Sequence, residues 1–311
     1  MMTSCSKCGD KAVIFVRYNG THLCRKHFME YVERRVKKDI RKQKGKKRFK
    51  KIAVALSGGK DSSTALYIIH KIFSRTSEIH AITVDEGIPG YRDKTIPVAK
   101  RLCRKLDVEH HIVSFANDIG ITIDEIAKKN DEIGICTYCG VFRRSLLNMK
   151  AREIGADVLV LGHNLDDFSQ SILMNFVNAD LEKLARMAPH YRIQERMIPR
   201  ILPLRMIPEK ETTLYAILNG LDIPMEECPY AFSSRLVFRR IIYELEDRNP
   251  GTRHKIVKSY EQIRKCLYEM FPLAKLQSCA ICGEPTPSDI CRACELKRKL
   301  GLLTISPDDK D

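Results

Sequence analysis

The sequence predicts an α/β fold with a doubly wound parallel sheet, and three features support this prediction. Four short apolar runs are rich in β-branched residues, as buried parallel strands are; they are KIAVAL, IHAITV, HHIVSF and DVLVLG. Helical patterns such as SSTALYIIHKIF and VFRRSLLNMKAREIG separate these runs. The chain has 311 residues, 44% of them hydrophobic, which is enough for a sizeable core. Strands that alternate with helices form a Rossmann-like sheet covered on both faces.

Composition divides the chain into five segments. Residues 51–208 carry the alternating pattern and form the predicted central domain, whereas residues 209–273 carry helical patterns without a further strand. The ends, residues 1–33 and 274–311, are short and rich in Cys, so we expect small modules that need a metal ion to fold. A basic linker or helix, residues 34–50, joins the first module to the central domain.

The chain is strongly basic, because 54 Lys and Arg against 39 Asp and Glu give a net charge of +15. This excess favours binding to a polyanion such as nucleic acid. The segment RRVKKDIRKQKGKKRFKK, residues 34–51, holds 12 basic residues and one acidic residue; it either contacts backbone phosphates or is a solvated linker. No apolar run approaches the ~20 residues of a membrane span, so a cytoplasmic protein is expected.

A glycine-containing turn follows the first predicted strand, in the stretch IAVALSGGKDSSTAL. Gly58 and Gly59 allow a sharp turn and a close approach to a ligand, and free backbone amides at the start of the next helix favour an anion. Lys60 adds a positive charge. The spacing differs from that of a Walker A loop, so γ-phosphate transfer is not implied. The stretch therefore predicts a phosphate site of another type.

Two later strand ends reach the same edge of the predicted sheet, where doubly wound folds bind their ligands. The stretch ITVDEG ends the second strand with Val84 and Asp85, where an adenosine could lie against the backbone. The strand DVLVLG leads into Gly162, His163, Asn164, Asp166 and Asp167. Adjacent carboxylates beside a triphosphate suit Mg²⁺. Alternatively, Asp166 caps the following helix, and His163 is a turn residue without a functional role.

Each end of the chain contains four candidate metal ligands in two short pairs. The first quartet is Cys5, Cys8, Cys24 and His27, and the second is Cys279, Cys282, Cys291 and Cys294. Four soft ligands in two pairs suit tetrahedral Zn²⁺, which would supply the folding energy that a short segment lacks. We expect both zinc ions to be structural, because a filled four-ligand shell leaves no position for a substrate.

Three further cysteines form a separate set. Cys136 and Cys139 lie in GICTYCG, just before a predicted helix, and Cys228 lies far away in EECPYAF. The local pair alone fits a redox site. Together with Cys228, three thiolates fit an iron-sulfur cluster with one open iron, or zinc with a bound water. Cys103 and Cys266 occupy helical positions that we expect to be buried, as small hydrophobic residues.

The order of the motifs SGGKDSS, CTYC, GHNLDD and ECPY between two Cys-rich ends resembles the tRNA 2-thiouridine synthetase family, which includes TtuA and the archaeal and eukaryotic cytosolic tRNA 2-thiolation proteins. This family belongs to the PP-loop ATP pyrophosphatase superfamily, whose Ser-Gly-Gly-x-Asp-Ser loop grips pyrophosphate. The likeness spans nearly the whole chain. It implies that ATP is bound by Ala55, Ser57, Gly58, Gly59, Lys60, Asp61, Ser62, Val84, Asp85, Gly162 and Asp167.

The resemblance also implies a reaction. ATP adenylates the C2 oxygen of a tRNA uridine, AMP leaves, and sulfur takes its place. Cys136, Cys139 and Cys228 would hold a 4Fe-4S cluster whose open iron carries the sulfur as hydrosulfide. In an older interpretation, Cys136 and Cys228 instead form a persulfide and disulfide pair. The donor would be a ubiquitin-like carrier with a C-terminal thiocarboxylate, or inorganic sulfide.

The catalytic residues implied by the resemblance are Asp61, Asp167, Arg143, Cys136 and Cys228. A basic residue shortly after the second cluster cysteine is implicated in relatives, and Arg143 occupies that place here. Because a guanidinium does not readily lose its proton, we expect an electrostatic role for Arg143 towards a phosphate or an oxyanion.

Two other function classes fit part of the pattern. A tRNA 2-thiocytidine synthetase shares the PP-loop and the cluster cysteines but does not need both zinc modules, and a lysidine-type ligase needs no cysteine. A zinc-containing RNA-binding protein would bind ATP without forming AMP. The resemblance also favours a homodimer. Neither the target uridine, at the wobble position or in the T-loop, nor the oligomeric state follows from the residues.

Overall fold

A computed structural model of the chain describes residues 3–129, 132–190, 194, 196–224, 226–230 and 235–303. The amino end forms an antiparallel hairpin of β1 (Ile14–Val16) and β2 (Thr21–Leu23), followed directly by α1 (Arg25–Lys44). None of the helices in these residues combines the length and the apolar character needed to cross a lipid bilayer.

Helix α1 contains most of the basic segment. Val32, Val36 and Ile40 recur every four residues and are buried on one face, which packs into the core. The helix passes without a break through residues 33 and 34, where the first module and the linker were predicted to meet. Its other face is exposed and carries Lys37, Lys38, Arg41 and Lys42. The basic segment is therefore in large part a packed helix with one solvated basic face.

The central sheet has five parallel strands in the order β5-β4-β3-β6-β7. The strands are β3 (Lys51–Ala55), β4 (Glu78–Asp85), β5 (Glu109–Ser114), β6 (Val158–Val160) and β7 (Arg200–Ile201). The four predicted strands are thus confirmed. Strand β7 was not predicted, because two residues that include an arginine carry no strand pattern. Strand β3 lies between β4 and β6, so the strand order reverses beside it.

Helices cover both faces of the sheet. Successive residues of a strand point to opposite faces, so each strand contributes side chains to two cores. Ile52 and Val54 face a core shared with α1, α2 (Lys60–Phe73), α3 (Arg92–Leu106) and α8 (Glu209–Leu218). Ala53 faces the opposite core, shared with α4 (Ile123–Lys128), α5 (Ile135–Glu153) and a short π-helix (Phe115–Ile119). The predicted doubly wound α/β class is confirmed.

The remaining elements extend this layer structure. A third core joins α6 (Leu165–Val177), α7 (Leu181–Ala185) and α10 (Thr252–Met270), and α9 (Arg235–Arg248) packs against α6. The carboxyl-terminal module consists of β8 (Gln277–Ser278), β9 (Pro285–Thr286) and α11 (Arg292–Lys299), and it packs against α5. Cys103 is buried as expected, but Cys266 is exposed on α10, so that expectation was wrong.

Candidate active site

The glycine turn between β3 and α2 forms a tight loop at the carboxyl edge of the sheet. Gly58 has a φ of +84°, and a Cβ atom there would lie 2.0 Å from the carbonyl oxygen of Thr95. A Cβ at Gly162 would lie 2.8 Å from Cα of Ser62, because the end of β6 approaches the loop closely. The Ser57 and Ser62 hydroxyls lie 2.9 Å apart inside the loop. Only glycine permits both of these backbone approaches.

Lys60 and Asp61 open α2 at the end of this loop. Lys60 Nζ lies 2.6 Å from Asp61 Oδ2 and 2.8 Å from Glu209 Oε1. Burial disfavours the ammonium, but these two carboxylates raise the pKa of Lys60 to about 12. Burial raises the pKa of Asp61, which Lys60 opposes, and Asn164 Nδ2 donates to Asp61 Oδ1 at 3.2 Å. The charges at the loop are thus held in place before a ligand binds.

The two adjacent aspartates of α6 have different surroundings. Asn164 caps the helix: its side chain accepts from the backbone N–H of Asp167, and Asp167 accepts from the N–H of Asn164. Asp166 is buried, pairs with Arg253 and accepts from the Glu209 N–H at 2.7 Å. The alternative interpretation of Asp166 as the helix cap was therefore wrong. Of the pair, Asp167 lines the cavity described next.

A cavity of about 290 Å³ opens beside the loop. The residues predicted to bind ATP that line it are Ala55, Ser57, Asp61, Ser62, Val84, Gly162 and Asp167. Gly58, Gly59 and Lys60 belong to the adjoining loop, and Asp85 accepts from the Gly87 N–H at 2.9 Å. His163 also lines the cavity. The structure therefore brings the ends of β3, β4 and β6 together around one space.

Four arginines line this cavity. Arg92 is paired with Glu86, and the other three form a cationic wall: Arg143, Arg144 and Arg200. Burial and the neighbouring Arg144 lower the pKa of Arg200 to about 10. Burial, followed by Arg143, lowers the pKa of Arg144. In the part of the chain that the structure describes, no carboxylate pairs with Arg144 or Arg200. The two guanidinium groups of Arg144 and Arg200, which lack a countercharge, favour an anionic ligand.

Arg92 and Glu86 form a buried ion pair beside the loop. Arg92 also donates to the carbonyl oxygens of Ser57, at 2.9 Å, and Val84, at 2.5 Å. It therefore ties the glycine loop to the end of β4. Neither residue was among the predicted site residues, because the pair forms only when α3 packs against the strand ends. The one local signal was the polar pair that follows Val84.

The three separate cysteines converge next to this ion pair. Cys136 and Cys139 lie within the first turns of α5, not before the helix as predicted. The Cys136 Sγ lies 3.4 Å from the carbonyl oxygen of Tyr230, and the Cys228 thiol interacts electrostatically with both other thiols. The Tyr230 hydroxyl donates to Asp124 at 2.8 Å, which fixes the loop that carries Cys228.

Arg143 and Glu86 connect the cysteines to the cavity. Arg143 lines the cavity, and its Nη1 lies 3.7 Å from Glu86 Oε1. Burial raises the pKa of the Cys139 thiol to about 11; Arg143 opposes this shift, whereas Glu86 and Cys228 add to it. Glu86 and Arg143 therefore form one charged pair between the cysteines and the cavity.

The two terminal quartets are more compact than the three central cysteines. In each quartet, the four ligand atoms all lie within 4.8 Å of one another. The three central cysteines are not among the sets in the described residues that meet this spacing. The quartets fit a single ion, whereas the central set has room for a larger group.

Comparisons with known proteins agree with this geometry. Residues 29–227 match the PP-loop domain family, and residues 4–29 match the N-terminal LIM domain of the 2-thiouridine synthetase TtuA. The tRNA 2-thiolation protein NcsA of Haloferax volcanii is 39% identical, over 94% of this chain and 97% of the relative. The chain belongs to the PP-loop family of tRNA 2-thiolation proteins.

Other family members differ in their named target. A tRNA-5-methyluridine(54) 2-sulfurtransferase of Pyrococcus horikoshii is 33% identical, over 98% of both chains. The solved structure of the U34-tRNA thiolase NcsA of Methanococcus maripaludis, with its [4Fe-4S] cluster, is 34% identical and has a TM-score of 0.83. It covers 98% of this chain and 99% of its own. The family and the fold that the sequence resembled are confirmed.

Proposed function

We propose that the chain is an ATP-dependent tRNA sulfurtransferase that converts a uridine to 2-thiouridine. One observation carries this proposal: the phosphate loop and the three cysteines border the same region, joined by Glu86 and Arg143. A nucleotide-activated base and an incoming sulfur atom need such a shared space. Family membership supports the same reaction, since the relatives are named for tRNA thiolation.

The loop residues carry the activation step. The C2 oxygen of the uridine attacks the α-phosphorus of ATP, and pyrophosphate leaves into the loop. The amides at the start of α2 and the ammonium of Lys60 stabilise the charge of the leaving group. Asp61 and Asp167 would hold Mg²⁺ through their carboxylate oxygens, and the ion would offset the negative charge of the phosphates. Asp166 takes no part, because Arg253 already occupies it.

The second step replaces oxygen by sulfur. Hydrosulfide attacks C2 of the adenylated uridine, and AMP leaves with the original oxygen. The guanidinium of Arg143 stabilises the negative charge that leaves with AMP, and Arg144 and Arg200 extend this cationic wall towards the nucleic acid. A guanidinium does not readily give up its proton, so the role proposed for Arg143 is electrostatic and not that of a proton donor or acceptor.

The three cysteines fit a 4Fe-4S cluster better than a single ion. Their donor atoms are cysteine sulfurs, the usual ligands of such clusters, and they are spaced more widely than those of the quartets. Cys136, Cys139 and Cys228 would hold it, and with three ligands the cluster supplies one iron position for sulfide. A persulfide on Cys136 is the competing proposal. The sulfur donor is a thiocarboxylated carrier protein or sulfide itself.

The quartets would hold one Zn²⁺ each, because their four ligand atoms are close enough for one tetrahedral ion. Both ions are structural in this proposal. A homodimer, which the resemblance favours, is tested by the mass of the protein in solution.

Mass spectrometry of tRNA nucleosides tests the proposed function. Anaerobically reconstituted protein with ATP, Mg²⁺ and sulfide should form 2-thiouridine in unmodified tRNA, with one AMP released per modified base. Mass spectrometry of nuclease fragments of the tRNA then shows whether the modified uridine is at position 34 or at position 54. Formation of 2-thiocytidine or lysidine instead would replace this proposal, and ATP binding without AMP release would indicate an RNA-binding protein without catalysis.

A further inference from the structure

A cluster of histidine and glutamate side chains lies at the amino edge of the sheet, opposite the active site. His80 of β4 is paired with Glu109 of β5, and residues two apart on a strand share one face. Glu78, His80, Glu109 and His111 therefore all point to the side of the sheet that α5 covers. His80 lies five residues before Asp85, so the cluster is about 16 Å along β4 from the nucleotide site.

Donor atoms of three side chains in this cluster lie close together, and both oxygens of Glu109 are among them. His80 Nδ1 is 3.0 Å from His111 Nε2 and 3.3 Å from Glu109 Oε2. His111 Nε2 is 3.4 Å from Glu109 Oε1. In the described residues, these three side chains and the two cysteine quartets are the sets whose ligand atoms all lie within 4.8 Å. The cluster thus has the spacing of the quartets, but with nitrogen and oxygen donors.

The contacts of the His80 ring show which of its nitrogen atoms is available to a metal ion. Its other ring nitrogen, Nε2, lies 2.8 Å from Glu78 Oε1, so we assign the ring proton to Nε2. Nδ1 then presents a lone pair towards the carboxylate of Glu109, an acceptor, at 3.3 Å. His80 is 3% exposed, so its ring is largely shielded from water, whereas the Glu109 side chain is 63% exposed. His111 Nε2 lies 3.0 Å from the same Nδ1 atom, so either a proton from His111 or a metal ion bridges the two rings.

We propose that His80, Glu109 and His111 bind a divalent transition metal ion of the Zn²⁺ class. Ligands at about 2.0–2.2 Å in a tetrahedron are separated by about 3.3 Å, which matches the three distances. Two imidazoles and a carboxylate are a common ligand set for such ions. Three protein ligands leave one position for water. The site would fasten the edge strand β5 to β4.

The surroundings of the three ligands support a built site. Glu78 accepts from His80 in the manner of the carboxylates that orient metal-binding histidines, and Lys51 Nζ holds Glu78 at 3.3 Å. Lys150 and Glu153 of α5 lie on the same side of the sheet and shift the pKa of His111 in opposite directions. A proton between His80 Nδ1 and His111 Nε2 is the competing explanation, since these two atoms lie 3.0 Å apart.

Metal binding to the full chain tests the proposal. Protein that carries two equivalents of Zn²⁺, one for each cysteine quartet, is titrated with Co²⁺ and compared with Glu109→Gln and His111→Gln. Glu153→Gln is the matched control, because it removes a nearby exposed carboxylate that is not a ligand. The wild type and the control should bind one more equivalent than the two ligand variants. The absorption of this added cobalt should lack the thiolate charge-transfer band that cobalt in a cysteine quartet gives.

Affinity gives a second measurement. Glu78→Ala removes the orienting carboxylate and should weaken Co²⁺ binding by about 10-fold to 100-fold. Glu109 has a side chain that is 63% exposed, so its amide variant should fold normally, which circular dichroism checks. Equal metal content and equal spectra for the wild type, Glu109→Gln and His111→Gln would overturn the proposal. The cluster would then be held by a shared proton.

Discussion

The cysteine quartets and the central cysteines use the same donor group in two ways. In the carboxyl-terminal quartet, Cys279, Cys291 and Cys294 are buried and only Cys282 is exposed. In the central set, none of the three is buried, Cys136 is exposed, and the set adjoins a cavity. A compact and closed ligand set serves folding, whereas an open and wider one leaves room for a substrate.

The two kinds of site meet on one helix. Cys136 and Cys139 lie at the start of α5, and the carboxyl-terminal module contacts the later turns of the same helix. Glu284 of that module pairs with Arg152 and accepts from Asn148 at 3.2 Å. The quartet therefore supports the helix that presents the reactive cysteines, and mutations can separate these two tasks.

The largest effect is expected for Cys228→Ser. Removal of one of three cluster ligands should abolish 2-thiouridine formation and the brown colour of anaerobic protein, while zinc content and the unfolding temperature stay unchanged. Cys266→Ser is the control, because Cys266 is a lone exposed cysteine on α10. Full activity in colourless Cys228→Ser protein would remove the cluster from the mechanism.

The next effect concerns the loop. Asp61→Asn removes the charge that faces Lys60 and the proposed Mg²⁺, so tRNA-dependent AMP release should fall by about 100-fold or more. Iron and zinc contents should not change, since Asp61 lies outside all three cysteine sets. The measurement is AMP formation by chromatography. A loop variant that lost iron as well would show that the two regions do not act separately.

The local parts of this site were predictable from the sequence, and the tertiary parts were not. The glycine loop was predictable because its turn requires a positive φ, which Gly58 indicates in the sequence. Asp166 and Asp167 could not be told apart, because adjacent residues on a helix point about 100° away from each other and only packing decides which faces the cavity.

The arginines show the same limit. Arg92 and Glu86 are six residues apart, and their pairing depends on how α3 packs on the strand ends. Arg200 reaches the cavity from β7, a strand too short to leave a pattern. The start of α5 was missed because its first turns carry cysteines and a glycine in place of an apolar repeat.

A smaller effect on activity is expected from a quartet. Cys294→Ser should lose one of two zinc equivalents and make the carboxyl-terminal module sensitive to protease, because a module of this size does not fold without its metal. Thiolation should fall but persist, since α5 remains packed in the core. Zinc content and limited proteolysis are the measurements, and an unchanged digestion pattern would contradict a structural role.

The pairing between module and helix should contribute less than the metal. Glu284→Gln leaves Arg152 without its buried partner and should lower the free energy of unfolding by about 1–3 kcal/mol. Glu269→Gln, an exposed residue whose carboxylate lies 4.0 Å from Lys265, should change it by less than about 0.5 kcal/mol. Denaturant titration measures both. Equal values for the two variants would mean that the module does not brace α5.

The smallest effect is expected from the exposed basic face of α1. Two ligands of the amino-terminal quartet lie at the start of this helix: Cys24 is its N-cap, and His27 is in its first turn. This quartet holds a helix with an exposed basic face, so we expect it to position that face against tRNA phosphates. Exchange of Lys37 and Lys38 for Gln should weaken tRNA binding a few-fold. The logarithm of the binding constant falls with the logarithm of the salt concentration, and the steepness of this fall should decrease by about one for each phosphate that is no longer neutralised. Lys183→Gln is the control, because Asp180 already neutralises that charge. If both proteins gave the slope of the wild type, the basic face would be merely solvated, and the amino-terminal quartet would serve folding alone.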